Sequence, residues 1–214
     1  MKQIALDIET VANQPDYFKS GKKNDLISIA LVNIDNTNEV FYATVRPPIE
    51  YQGGGWYKNH GMTWETQKDE KTLDQIWPEI LDFMEDSHIY AHNAFGFDMK
   101  VLIESAEHYG LELPECTWID TKHEWMIRGK NRSESSLENL SRSFGFYDSG
   151  HHNALVDTKM LVKLIHEMRE LNFFKDGTKM VEMKNVIYKT YSKTSDKAMK
   201  SYVEFTGMDF LLEE

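Results

Sequence analysis

Five residues carry chemistry that their local surroundings leave unexplained. Asp7 and Glu9 lie in Ile4-Ala5-Leu6-Asp7-Ile8-Glu9-Thr10, where Ile4, Leu6 and Ile8 alternate with Ala5, Asp7 and Glu9. This is strand periodicity, so both carboxylates share one face. Such a strand normally lies buried in a sheet, where paired acids repel each other and burial penalises their charge. A shared proton, a divalent cation or a strand end open to water would each resolve the conflict. Asp98 follows His92-Asn93-Ala94-Phe95-Gly96-Phe97 at a predicted helix start. Free amides and the helix dipole favour an acid there, so taken singly it reads as a cap. Asp157 is the most diagnostic of the five. It lies three residues after Ala154 and four before Leu161, on the same apolar stripe as Leu164, Ile165, Met168 and Leu171. An ionised carboxylate on a core-facing stripe is costly without a partner, and no basic residue shares that face within a turn. Metal coordination supplies one. His152, five residues earlier on the loop entering the helix, can titrate near neutral pH; taken alone it reads as surface decoration, as does its neighbour His151. An oxygen-only donor set suits magnesium or manganese rather than zinc.

The elements that must position these residues are legible in outline. The first strand is followed by a polar loop over 13–24, a second strand over Leu26–Val32, turn formers over 33–38 and a third strand over Val40–Val45. Their spacing predicts an antiparallel meander. The stretch 53–64 reads as an irregular aromatic loop. Helices are expected over Thr72–Met84 (with Pro78 inside), Asp98–Tyr109 ended by Gly110, Trp125–Arg128, Ser136–Phe144 and Ala154–Leu171; short strands over His88–Ala91 and Thr117–Ile119. Met180–Tyr188 reads as strand or short helix, and Ser195–Phe205 as helix, neither firmly assigned. The alternation implies an α/β or α+β protein with helices packed on a sheet.

Composition narrows the classes. With 214 residues, 41% hydrophobic and 28% charged, the chain can bury a core. The lone Cys116 excludes an intrachain disulfide framework and a thiolate zinc site. No apolar run approaches the roughly 20 residues of a membrane helix, and no charged-apolar-small leader is read, so a reducing, cytoplasmic setting is expected. The formal charge of −11 argues against polyanion binding over the whole surface. It is uneven: Lys175–Lys200 carries seven lysines and a net +4, leaving −15 elsewhere.

Asp7-Ile8-Glu9-Thr10, then His92-Asn93-Ala94 with Phe97-Asp98, then His152-Asn153-Ala154-Leu155-Val156-Asp157 resemble, in order and spacing, the three motifs of DnaQ-like DEDD exonucleases. The histidine five before the last aspartate is similar to the DEDDh branch, which includes the proofreading epsilon subunit of bacterial replicative polymerase. The resemblance spans roughly Met1–Leu171, and His60-Gly61-Met62-Thr63 also resembles a segment of these enzymes. It implies a ribonuclease H-like α/β fold, with three antiparallel strands, then parallel strands, flanked by helices. It implies an exonuclease domain over 1–171 and a lysine-rich extension of unknown fold over 172–214. It also implies that Asp7, Glu9, Asp98 and Asp157 hold two Mg2+ (Mn2+ as substitute), with His152 as general base. The reaction implied is 3′→5′ release of 5′-nucleoside monophosphates from single-stranded DNA, or from RNA.

Thr10, Val11, Met62 and Thr63 are, by the same resemblance, expected to line the terminal nucleotide. Trp56, Tyr57 and Trp64 could stack bases, although ordinary packing weighs against that. Lys122, Arg128, Lys130 and Arg132 form a modest basic stretch that reads as solvated surface. The lysine-rich tail could grip a single strand or tether a polymerase or other replication protein, since any proofreading would act in trans. No membrane partner is expected. Two readings compete with the enzyme: a catalytically idle exonuclease fold used for docking, and a zinc hydrolase built on His92, His151 and His152. All five catalytic-type residues are present, which disfavours the first; paired acids on a buried strand disfavour the second.

Overall fold

The fold was taken from a computed structural model, which describes residues 1–12, 24–48, 60–128, 134–150, 152–175, 177–183, 186–189 and 202–205. The sheet has the order β3-β2-β1-β4-β5-β6. Its strands are β1 (Lys2–Ala12), β2 (Asn24–Asn33), β3 (Val40–Thr44), β4 (Ser87–Ala91), β5 (Thr117–Asp120) and β6 (Val181–Glu182). The first three form the expected antiparallel meander, and β4 and β5 run parallel to β1. Antiparallel β6 closes the far edge, pairing Trp118 with Val181.

Strand alternation divides the core into two layers. Ile4, Leu6 and Ile8 point to one face, under α2 (Leu73–Met84) and α3 (Asp98–Tyr109). Ala5 points to the other, under α5 (Leu137–Ser143) and α6 (Ala154–Glu170), against Leu161, Leu164 and Ile165. Asp7 and Glu9 therefore share the α6 face. Pro78 sits inside α2 without ending it. α6 stops at Glu170, and Leu171, read as part of the buried stripe, is exposed.

Two short helices complete the domain. α1 (Trp64–Gln67) is anchored by buried Gln67, whose amide donates to the carbonyls of Ile27 (2.9 Å) and Val45 (3.1 Å). α4 (Thr121–Arg128) begins four residues before the predicted Trp125, because the carboxylate of Asp120 accepts from the first free amides of that turn.

Past residue 171 the chain stays on the domain as far as Met183: Phe173 is buried in one core, Val181 and Met183 in the other. Ser195–Phe205, read as helix, contains a strand instead. β8 (Tyr202–Phe205) pairs antiparallel with β7 (Val186–Lys189), because Val-Ile-Tyr and Tyr-Val-Glu-Phe are β-formers that find each other as partners. Loop 13–23, residues 51–59 including Trp56 and Tyr57, Lys130, Arg132 and most of the lysine-rich tail lie outside the described residues. Among the described residues no helix is long and apolar enough to cross a membrane.

Candidate active site

The site forms where β1 outruns its neighbour. β4 pairs with β1 only from Lys2 to Ala5, whereas β2 follows β1 to Ala12. The β4 side of β1 is therefore uncovered at Asp7 and Glu9. The register also slips between Glu9 and Thr10, an irregularity that bends the strand end. Above this stretch stands the first turn of α6. Asn153 caps the helix, its side chain accepting from the amides of Leu155 (3.1 Å) and Val156 (3.3 Å). One turn in, Asp157 projects toward the sheet, 3% exposed. Oxygens of Asp7, Glu9 and Asp157 lie within 4.8 Å of one another.

Asp98 lies outside that 4.8 Å group but faces it from the opposite helical layer, close enough for its charge to act on Asp7. It is the first residue of α3, and backbone amides of Asp98 itself and of Ile8 favour its charged form. The amide of Ile8 is free to do so because β4 has already ended. Burial nevertheless pushes the Asp98 carboxyl well above the ordinary range, and the charges of Asp120 and Glu9 push it further. Asp7 is raised well above its ordinary value by burial first, then by Asp98, Asp157 and Glu9. Three oxygen donors converging on one point, one of them the Asp7 carboxyl whose ionisation burial and its neighbours oppose, fit a hard divalent cation, which removes both penalties.

His152 is exposed, on the loop into α6, in a left-handed conformation (φ 73°). Its amide donates to Asp157 Oδ2 at 3.0 Å, which ties the loop to the acid. A second histidine, given no role from sequence, joins it. His60 Nδ1 lies 3.0 Å from Glu9 Oε2 and 3.3 Å from the carbonyl of His152, and the two rings meet edge to face at 6.1 Å. Its pKa is raised, mainly by the hydrogen bond to Glu9. The signal available was its place in His60-Gly61-Met62-Thr63; nothing in periodicity joins residue 60 to residue 9.

The remaining expected contacts are mixed. Val11 and Met62 are buried together with Ile27 in a small cluster beside the strand end. Thr10 is partly exposed at the register slip. Thr63 is exposed and caps α1 through a reciprocal pair with Thr66. Trp64 opens α1 and is partly buried. Arg128 pairs with buried Glu124 within α4. His92 is spent structurally: Nδ1 meets Thr121 Oγ1 at 3.0 Å and Nε2 meets the carbonyl of Ser135 at 2.6 Å. Burial pushes its pKa down to about 4. With both ring nitrogens engaged, His92 is not placed to join a zinc site, and His151 lies outside the described residues.

Residues 4–165 match the RNase T exonuclease family. The chain belongs to this exonuclease family. Its motif resemblance to DnaQ-like enzymes agrees with that membership. Over 92% of its length it is 27% identical to the DNA polymerase III subunit epsilon of Rickettsia felis, covering 88% of that protein. Over 86% of its length it is 28% identical to the PolC-type DNA polymerase III of Thermotoga maritima. It spans only 13% of that much longer polymerase. Among solved structures, the nuclease domain of 3′hExo, a DEDDh family member bound to rAMP, shares the fold. The TM-score is 0.67 with 20% identity, covering 84% of this chain and 96% of that one.

Proposed function

We propose that this chain is a metal-dependent 3′→5′ exonuclease acting on single-stranded nucleic acid, with DNA favoured over RNA. One observation carries the reading: Asp7, Glu9 and Asp157, from strand and helix, converge within 4.8 Å. Asp98 faces them across the open strand edge and exposed His152 stands beside them. Asp7, Glu9, Asp98 and Asp157 would hold two Mg2+, with Mn2+ as substitute. Such ions supply charge neutralisation at the scissile phosphate and acidify an attacking water. His152 takes the proton of that water as general base. The water oxygen bonds to the terminal phosphorus, the bond from phosphorus to the preceding 3′ oxygen breaks, that oxygen takes up a proton from solvent as the new 3′-hydroxyl, and a 5′-nucleoside monophosphate leaves. Asp157 fixes the entry of the histidine loop through the amide of His152. Glu9 and the carbonyl of His152 are bridged by His60. Thr10 and Thr63, with Val11 and Met62 buried behind them at the strand end, would flank the terminal nucleotide.

The preference for DNA rests on relatives named as DNA polymerase III components; those relatives also favour work beside a polymerase, with the lysine-rich extension over 172–214 as tether, and the setting proposed is the cytoplasm. The decisive assay uses a 5′-labelled single strand, as DNA and as RNA, with Mg2+, Mn2+ or chelator. A ladder shortening from the 3′ end, dependent on metal and absent in Asp157→Ala, is expected, faster on DNA. Faster loss of RNA reverses the substrate assignment. No cleavage of either strand by folded protein replaces the enzyme reading with that of a docking module.

A further inference from the structure

Asp120 is a fifth acid, near enough for its charge to act on Asp98, and both its oxygens are engaged by backbone amides. It ends β5 and is 5% exposed. Oδ1 accepts from the amides of Asn93 (3.0 Å), Lys122 (2.9 Å) and His123 (3.1 Å), and Oδ2 from the amide of Phe95 (3.1 Å). Two of these donors are the first turn of α4. The other two belong to the loop joining β4 to α3, which continues through Gly96 and Phe97 to Asp98.

The sheet register explains the meeting. Asp120 lies directly opposite Ala91, the last residue of β4. The chain leaving β4 therefore passes the Asp120 carboxylate within two residues. That loop is a tight, left-handed turn: Asn93 has φ 79°, and the amides of Gly96 and Phe97 both donate to its carbonyl. The amides of Asn93 and Phe95 point inward from this turn. A carboxylate, with acceptor positions on both oxygens and no proton, can serve four donors at once; an amide side chain cannot. Phe95 is held further by the ring of His123 at 6.1 Å and by Lys179 Nζ, 5.1 Å from its ring centre.

We propose that Asp120 is the positioning residue for Asp98: by fastening the Asn93 and Phe95 amides to the end of β5, it sets the height and direction of the first turn of α3. The inference rests on the reading of Asp98 as a metal ligand. Asp120 touches neither metal nor substrate, and acts through the loop. Groups that orient a ligand in this way change metal affinity by about 10–100-fold when removed.

Two substitutions grade the effect. Asp120→Asn retains one oxygen for three amides and opposes an NH2 group to the amide of Phe95. Asp120→Ser still caps α4, a position where serine is favoured, but is too short to reach both loop amides. Mn2+ binding to the whole chain is measured by calorimetry for wild type, Asp98→Asn, both Asp120 variants and the double variant Asp98→Asn/Asp120→Ser. Circular dichroism and melting verify the fold. The expected result is a loss of about 10–100-fold in Mn2+ affinity for Asp120→Ser and a smaller loss for Asp120→Asn, with no further loss when Asp120→Ser is added to Asp98→Asn. Folded Asp120 variants that bind Mn2+ as wild type does would overturn the proposal and leave the metal site standing. So would losses that multiply in the double variant. Wild-type protein that binds no Mn2+ overturns the metal reading and this proposal with it.

Discussion

Asp157→Asn is expected to stabilise the metal-free protein and to abolish its response to magnesium. The substitution keeps an oxygen for the amide of His152 and removes one charge from a cluster whose oxygens lie within 4.8 Å. Two unit charges at that separation repel by roughly 3 kcal/mol at an effective dielectric of about 20. Burial and its neighbours raise the Asp7 carboxyl well above the ordinary range, so part of this repulsion is already relieved in wild type wherever Asp7 holds its proton. The expected gain is about 1–3 kcal/mol, or roughly 2–12 °C in melting temperature for a domain of this size. A carboxyl raised in the fold costs stability as pH rises through its folded pKa and costs nothing below its unfolded value. The advantage of the variant should therefore fade as pH falls toward about 4. At a Mg2+ concentration about 100 times the dissociation constant, wild type should gain about 2.7 kcal/mol and the variant almost nothing. The assay is thermal melting in chelator and in Mg2+, at pH 7.5 and about 4.5, without nucleotide. A variant that melts at or below wild type in chelator, yet rises with Mg2+ as wild type does, refutes the account of a repulsive, ion-binding cluster.

Other outcomes follow from the same geometry. His152→Asn, which tolerates the left-handed backbone at this position, should lower kcat by about 10²–10⁴-fold while leaving Mg2+-dependent stabilisation intact; loss of both would make His152 a ligand instead of a base. Gln67→Ala removes the side-chain donor from the Val45 carbonyl and one of two donors from the Ile27 carbonyl, which also accepts from the Val45 amide. Melting should fall by roughly 5–15 °C, from a cost of about 2–4 kcal/mol, and an unchanged melting curve would contradict the anchoring role. His92, held down to about 4 by burial, keeps its contribution above about pH 6.5. That contribution, on the order of 3 kcal/mol, is lost as pH falls from there through the folded pKa. The stability difference between wild type and His92→Gln in chelator should shrink over that window, and a pH-independent difference would show that His92 is not held neutral.

The chemistry was legible wherever a residue conflicted with its own element. Paired acids on an alternating strand, and Asp157 on an apolar helical stripe, are contradictions visible within a few residues, and both sit in the observed cluster. The meander and the longer helices were legible too, because periodicity of 2 and 3.6 is a local signal, whereas the start of α4 and the short α1 were not. What lay beyond local pattern was decided by the sheet. The early end of β4 gives Asp98 its opening onto β1, and only the register against Lys2–Ala5 establishes it. His60 meets Glu9 across 51 residues of chain. Asp120 lay just beyond the predicted strand Thr117–Ile119 and drew no reading from sequence; its pairing with Ala91 places four amides around it. Likewise 202–205 became a strand because a partner at 186–189 was available, which helix propensity alone does not register. Sequence by itself determined which carboxylates conflict with their own elements and on which elements they ride; the tertiary structure decided how far each strand runs beside its neighbour, and so which acids and histidines face one another.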